Sequence, residues 1–188
     1  LAPHGTYGSL SIDASGRWTY SLDPALSQSL RAGTTVDESF VVRVTDQHGG
    51  SSEQTVTLHV TGSNDTPKIN ASQSSLQGEV TEDRLGFTST GGTIGSGDPD
   101  VGDRLSWSIA GGSASSLDGR YGTFSLGADG HWTYTLDHGK ANGLAEGATA
   151  TETFNVHVTD GAGERSSAVV TVRIHGSNDS PAIGGQTT

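Results

Sequence analysis

Gly16-Arg17-Trp18-Thr19-Tyr20-Ser21-Leu22-Asp23 returns 114 positions later as Gly130-His131-Trp132-Thr133-Tyr134-Thr135-Leu136-Asp137. In both copies Trp, Tyr and Leu alternate with Thr or Ser, the period-two pattern of a half-buried β-strand, and a turn at Ala14-Ser15-Gly16 or Ala128-Asp129-Gly130 comes just before. Working outward, residues 5–69 align with 119–183 without a gap, and 30 of the 65 pairs are identical, among them Tyr7 with Tyr121, Phe40 with Phe154, Asp46 with Asp160 and Pro67 with Pro181. The chain is therefore a tandem repeat. A second hairpin follows in each copy. Phe40, Val42 and Val44 face inward, the turn is Asp46-Gln47-His48-Gly49-Gly50, and Val56, Leu58 and Val60 face inward on the return. The later copy repeats this with Phe154, Val156 and Val158, then Val170, Val172 and Ile174. Upstream of it the pattern predicts strands around Ile69 to Val80, Gly86 to Thr93 and Leu105 to Ile109, where Leu105, Trp107 and Ile109 alternate with Ser106 and Ser108. Seven short strands in about 110 residues, with polar turns and no helical periodicity, predict an all-β fold of tandem immunoglobulin-like Greek-key sandwiches.

The expected division is residues 1–66 as the later part of one repeat, 67–181 as a complete seven-strand repeat, and 182–188 as the start of the next linker. The N-terminal copy is thus truncated, and the chain reads as a piece of a longer protein. Two hairpins with unpaired edges are marginal alone, so this half is expected to need completion by a missing segment or by strand-swapped self-association with a second chain.

With 10 Lys plus Arg against 21 Asp plus Glu, the formal charge is −11, which argues against nucleic acid or an anionic membrane surface as partner. The hydrophobic fraction is only 31%, while Gly, Ser and Thr are abundant, so helical bundles are disfavoured. No apolar run approaches the roughly 20 residues of a membrane span, and no basic-then-apolar leader opens the chain. Cysteine is absent, which removes disulfides, thiolate chemistry and cysteine-ligated zinc. An extracellular protein without them needs another staple, and carboxylates clustered in loops point to an oxygen-ligated metal.

Lettering the seven strands A to G puts the B–C and F–G loops at one end and the A–B and E–F corners at the other. The B–C loop, Gly97-Asp98-Pro99-Asp100-Val101-Gly102-Asp103, and Asp160 opening the F–G loop are expected beside the linker Gly62-Ser63-Asn64-Asp65-Thr66-Pro67. Asp23, closing strand E of the first copy, is expected to point to the same junction. Asp23, Asn64, Asp65, Asp98, Asp100, Asp103 and Asp160 form the first candidate ligand set. A second set at the other end comprises Glu82, Asp83, Asp137, Asn178 and Asp179. Gathered carboxylates repel unless a hard cation sits among them, and Ca2+ accepts six to eight oxygens from flexible loops, whereas zinc prefers His or Cys. Asp, Asn, Gly and Pro are also ordinary turn formers. Recurrence of the linker, with Asp-x-Asp in the loop expected to face it, favours the ion.

Gly5-Thr6-Tyr7-Gly8 with Gly16 to Asp23, Gly122-Thr123 with Asp129 to Asp137, Val80-Thr81-Glu82-Asp83, Val158-Thr159-Asp160-Gly161 and Gly176-Ser177-Asn178-Asp179-Ser180-Pro181 resemble VCBS repeats. The resemblance covers nearly the whole chain. It implies tandem arrays in large bacterial surface proteins, notably RTX-type adhesins exported by type I secretion, and hence an extracellular or cell-surface location. The arrangement is also similar to cadherins, where a linker Asn-Asp, a Glu near the domain start, an acid closing strand E and an Asp-x-Asp of the next domain bind calcium. By that likeness Glu82 serves the second junction with Asp137 and Asp179. The sequence departs from the pattern in the first copy, which has no counterpart of Glu82.

None of the seven histidines recurs in both copies: His59, His131 and His157 pair with Arg173, Arg17 and Arg43 on solvent faces. No nucleophile elbow, phosphate loop or His-Glu-x-x-His pair is present, so no catalysis is expected. A carbohydrate-binding sandwich is the rival, but Trp18 and Tyr20, like Trp132 and Tyr134, share a face with Leu22 or Leu136 and read as core. Autocatalytic cleavage at Asp98-Pro99 or Asp23-Pro24 rests on the dipeptides alone. The expected function is a calcium-rigidified spacer of a secreted or surface-anchored bacterial adhesin, serving cell adhesion or biofilm. Its partners are the neighbouring repeats of the parent chain, with no nucleic acid and no membrane insertion.

Overall fold

A computed structural model describes residues 4–84, 87–112 and 115–179. It divides into two compact units, one of Leu1–Asp65 with Asp98–Asp103 and the other of Thr66–Gly97 with Arg104–Thr188.

In the first unit β1 (Gly8–Ile12) pairs antiparallel with β2 (Trp18–Leu22), and β3 (Thr35–Thr45) with β4 (Ser51–Thr61). Between the pairs lies α1 (Pro24–Ser27), one turn long. Asp23 caps it by accepting the Ala25 N–H at 2.9 Å, and Pro24 occupies the first position, where a missing N–H costs nothing. Leu10, Leu30, Phe40 and Val60 are buried, and Tyr20 packs on Phe40 at 6.0 Å between ring centroids. Trp18, Leu22 and Val44, predicted to face a core, are exposed. Their alternation is that of a buried face, but among the described residues each pair of strands stands as its own two-stranded sheet, so nothing in this unit covers it.

The second unit is a β-sandwich. One sheet has the order β10 (Ser116–Asp118), β11 (Gly122–Leu126), β12 (His131–Leu136) and β7 (Ser89–Thr93); the facing sheet has β6 (Gln77–Thr81), β14 (Arg165–His175), β13 (Thr149–Thr159) and β9 (Ser106–Ile109). A short pair, β5 (Lys68–Asn70) with β8 (Gly95–Gly97), closes one corner. Phe124 stacks on Phe154 across the two sheets at 4.5 Å and on Trp132 within its own at 5.7 Å. Val80, Ile109, Tyr134, Val156, Val170, Val172 and Ile174 complete the buried cluster. Trp132 also donates its indole N–H to the Ser75 carbonyl at 2.7 Å. Gly78 and Gly92 leave room for that ring, since a Cβ on either would fall 2.9 or 3.0 Å from it. In this repeat the aromatic face is core, which removes the exposed stacking platform a sugar would need.

Further details differ from the sequence expectation, the short β8 among them. The single strand drawn from Ile69 to Val80 is two, because Asn70 caps a 3₁₀ turn (Ala71–Gln73) by accepting the Ser72 N–H at 3.2 Å. The segment after it then pairs parallel with β14. Gly86, the predicted start of the next strand, lies outside the described residues. β10 was not expected, and neither were the single-turn α1 and α2 (His138–Ala141), which are too short to show a 3.6-residue period.

Candidate metal centre

Glu82 follows β6 directly and is fully buried. Its N–H extends the sheet by bonding the His175 carbonyl at 2.9 Å, which carries the side chain inward at the end of β14. There Glu82 Oε2 accepts a long bond of 3.5 Å from the Ser177 N–H, while among the described residues Oε1 has no hydrogen-bond partner and the buried Ser177 hydroxyl lacks one as well. Asp83 takes a left-handed backbone, φ 53°, a conformation Asp tolerates better than most residues. Carboxylate oxygens of Glu82, Asp83 and Asp179 lie within 4.8 Å of one another. Burial pushes the Glu82 carboxyl above its usual range, and the charges of Asp179 and Asp83 act in the same direction, against the Ser177 N–H and His138. A buried carboxylate with an unmatched oxygen, aimed at two more carboxylates, is a costly arrangement unless a cation completes it.

The residues present fit Ca2+. Bonds of roughly 2.3–2.6 Å place oxygens up to about 5 Å apart on a single ion, which accommodates this spread, and every donor is a hard oxygen. Glu82, Asp83 and Asp179 would hold it, with the Ser177 hydroxyl at hand, and bound calcium would supply the positive charge that offsets their repulsion. His138 Nδ1 lies 3.3 Å from Asp83 Oδ1. Asp137 is not in this cluster: it caps α2 by accepting the Lys140 N–H at 3.3 Å. Asn178 is exposed.

The first unit gathers a second group of acids in the Asp98–Asp103 loop. Asp100 is buried, accepts the Asp65 N–H on Oδ2 at 2.9 Å, and has no partner for Oδ1 among the described residues. Asp98 folds the loop by accepting the Asp100 N–H at 2.9 Å, and one of its oxygens lies within 4.8 Å of one of Asp103. Asp103 is also ion-paired with Arg31. Asn64 donates to the Asp65 carbonyl at 3.2 Å, and Asp23 is engaged in the cap of α1. In the second unit, Asp160 is buried and closes the β13–β14 turn by accepting the N–H groups of Ala162, Gly163 and Glu164 at 2.7–2.9 Å.

Sequence reasoning missed Ser177 and Arg31. It also missed a carboxylate in each repeat, the buried Glu38 and the half-buried Glu152, each bonded to a tyrosine 18 residues earlier. The identical Tyr-to-Glu spacing in both copies was the available signal. Arg31 left none, because its counterpart is Ala145.

A family model described as the bacterial cadherin-like domain matches residues 1–62 and again 64–176. Among curated proteins, the calcium-binding lectin RapA2 of Rhizobium johnstonii is 25% identical over 190 residues, spanning 93% of this chain and 74% of that protein. Among solved structures, the protocadherin gamma B2 extracellular cadherin domains 1–5 superpose with a TM-score of 0.50 at 19% identity, covering 95% of this chain and 32% of that one. Protocadherin gamma B7 extracellular cadherin domains 1–4 give 0.49 at 18%, with 95% and 42% covered. The chain thus spans less than half of either solved structure. At such identity the likeness to the first is one of fold.

Proposed function

This chain belongs to the bacterial cadherin-like domain family, and on that premise we propose that it is a non-catalytic spacer of a bacterial surface adhesin, stiffened by calcium. The observation that carries this reading is Glu82, a fully buried carboxylate with an unpartnered oxygen beside Asp83 and Asp179. A site with three protein carboxylates from one repeat has coordination to spare for a neighbouring repeat of the same parent, as a string of domains requires. The loop acids Asp98, Asp100 and Asp103, with Asp65, Asn64 and Asp23, belong to the same proposal as ligands of a second ion in the first unit. So does the finer likeness to VCBS repeats, with an RTX-type parent, type I secretion, a cell-surface location and a role in biofilm. The extracellular assignment is supported by the kind of protein this family and RapA2 represent. No helix among the described residues is long and apolar enough to cross a membrane.

The test is thermal unfolding of the 188-residue chain in EDTA, in 1 mM calcium and in 1 mM magnesium. With a dissociation constant of about 10⁻⁴ M, each calcium site stabilises the fold by about 1.4 kcal/mol. A calcium-specific rise in melting temperature supports the reading, and superimposable melts in all three conditions overturn it. A carbohydrate-binding module is the second reading, supported by the calcium-binding lectin among the relatives. Glycan-array binding by the calcium-loaded chain would favour it.

A further inference from the structure

In the second unit β14 pairs with all eleven residues of β13, whereas β9 pairs with only four, residues 156–159. The line of β9 ends where Ala110 donates its N–H to the Asn155 carbonyl at 2.9 Å, and Gly111, at φ 78°, turns the chain away. Backbone groups of successive strand residues point alternately to the two sides, so with Asn155 facing the β9 line, Thr153 and Thr151 face it too. Among the described residues no strand pairs with them there. The other edges of the two sheets are blunted: β9 and β10 are four and three residues long, and β6 and β7 are interrupted by glycine. Residues 149–154 hold no Pro, Lys or Gly. This open stretch forms one wall of a groove of about 510 Å³, and residues 117–121 form the other. Buried Phe154 and half-buried Leu117, Ala150 and Tyr121 give the groove an apolar lining, with Arg120, Thr151 and Thr153 exposed at its rim. Glu152 ties the two walls together by accepting the Arg120 and Tyr121 N–H groups and the Tyr134 hydroxyl, so the groove is preformed. Asp118 is engaged by the Thr123 hydroxyl at 2.7 Å, while Arg120 lies over the Tyr121 ring at 5.1 Å and has no ion pair among the described residues.

We infer that this groove receives an extended peptide segment of another protein as an added strand, antiparallel to β13 in the line that β9 leaves open. Thr151 and Thr153 supply its backbone partners, as in other cases of strand addition to a sheet edge. Its inward side chains read apolar, acidic, apolar at the levels of Phe154, Glu152 and Ala150. The acidic one meets Arg120, whose N–H fixes it at the level of Glu152. A sugar fits less well, because Arg120 covers the Tyr121 ring and Phe154 is buried, which leaves no open aromatic face for stacking. The first unit lines the equivalent groove, of about 360 Å³, with Thr6 and Asp37 where the second has Arg120 and Thr151. Without the guanidinium, and with an acid on the edge, it disfavours the same ligand. One site per chain is therefore expected.

The probe is a blocked heptapeptide with threonine at alternate positions and valine, aspartate and valine between them, titrated into the 188-residue chain by fluorescence anisotropy. The expected result is saturable binding at one site per chain, weakened about tenfold or more when lysine replaces the aspartate, with that preference reversed by Arg120→Glu. Unchanged melting of the variant without peptide is the check on its fold. Amide hydrogen exchange supplies the second readout. In the complex, exchange at Thr151 and Thr153 slows about tenfold or more, while Glu152 and Phe154, whose N–H groups face β14, stay as they were. No binding at millimolar peptide overturns the inference, and so does binding that leaves Thr151 and Thr153 unprotected or ignores Arg120→Glu. Protection of the same two amides by an oligogalacturonate but not by the peptide also overturns it, because the groove is then a sugar site.

Discussion

Tyr20 donates its phenolic hydroxyl to Glu38 Oε2 at 2.5 Å, while the Tyr7 N–H bonds the other oxygen of the same carboxylate at 2.8 Å. Tyr134, Glu152 and the Tyr121 N–H repeat the arrangement in the second unit. Gly5 and Gly119 make room for it, since a Cβ there would fall 2.6 or 2.5 Å from the carboxylate. In each repeat the clasp fastens the segment leading into the first hairpin to the first strand of the second, two elements of separate sheets. Removing the phenol takes a hydrogen bond from a charged acceptor in a partly buried place. Tyr134→Phe is expected to cost about 1.5–3 kcal/mol, read from urea unfolding, with the melt of the second unit remaining cooperative. A loss under 0.5 kcal/mol would show the bond to be dispensable.

The same clasp makes stability depend on pH at both extremes. Burial, with the Glu38 hydrogen bond and charge, pushes Tyr20 up to about 12, and Tyr134 is raised further for the same reasons. A phenol whose folded value exceeds the unfolded value near 10 contributes stability that is complete below pH 10 and is lost as pH rises through about 12. Glu38 runs the other way. Burial pushes it up, but the Tyr20 hydroxyl and the N–H groups of Tyr7 and Thr6 outweigh that and hold it below the ordinary carboxylate value. Its contribution is present above the unfolded value near 4.3 and falls away as the solution is acidified through the folded value. Unfolding free energy measured from pH 3 to 12 is therefore expected to fall at both ends. In a chain carrying Tyr20→Phe and Tyr134→Phe the alkaline fall shrinks, and an unchanged alkaline limb would refute the assignment.

How much of this was legible depends on the range of each signal. The hairpins were legible because Trp132, Tyr134 and Leu136 are consecutive same-face positions of one strand, and the 114-residue repeat confirmed the register twice. Glu82, Asp83 and Asp179 were legible as acids in loops that the lettering places at one end. That Glu82 is buried and short of a partner was not, since it depends on how β6 runs beside β14. Asp23 and Asp137 were expected as strand-end ligands, and each also caps a single helical turn, a local bond that alternation does not register. Exposure of Trp18 was hidden for the opposite reason. Its local pattern is that of a core residue, and only a count of covering strands reveals the open face.

Arg31 and Asp103 bear on the acids of the first unit. Arg31 is half exposed while the Asp103 side chain is 7% exposed, so the guanidinium neutralises a carboxylate that water barely reaches. If Asp103 is a calcium ligand, Arg31 competes with the ion for it. Arg31→Ala is then expected to lower stability in EDTA by about 1–2 kcal/mol, because Asp103 loses its partner, and to tighten calcium binding severalfold by calorimetry. Weaker binding in the variant would mean that Arg31 organises the loop for the ion, and that Asp103 serves the loop instead of the metal.

Glu82 offers the sharpest separation between a structural and a metal-binding carboxylate. In the absence of metal its charge is buried, short of hydrogen bonds and close to Asp83 and Asp179, so the ionised form opposes folding. Glu82→Gln removes that charge at nearly constant shape, and its amide can donate to the unpartnered Ser177 hydroxyl. Calorimetry in EDTA is expected to show the variant as stable as the parent or more so, by up to about 1–2 kcal/mol. In millimolar calcium the order reverses, because the parent gains roughly 1.4 kcal/mol at this site and the amide, a neutral ligand with one oxygen, recovers little of it. A variant less stable than the parent in EDTA would instead make Glu82 a structural acid whose carboxylate the fold requires, and the calcium assignment at this end would fall with it.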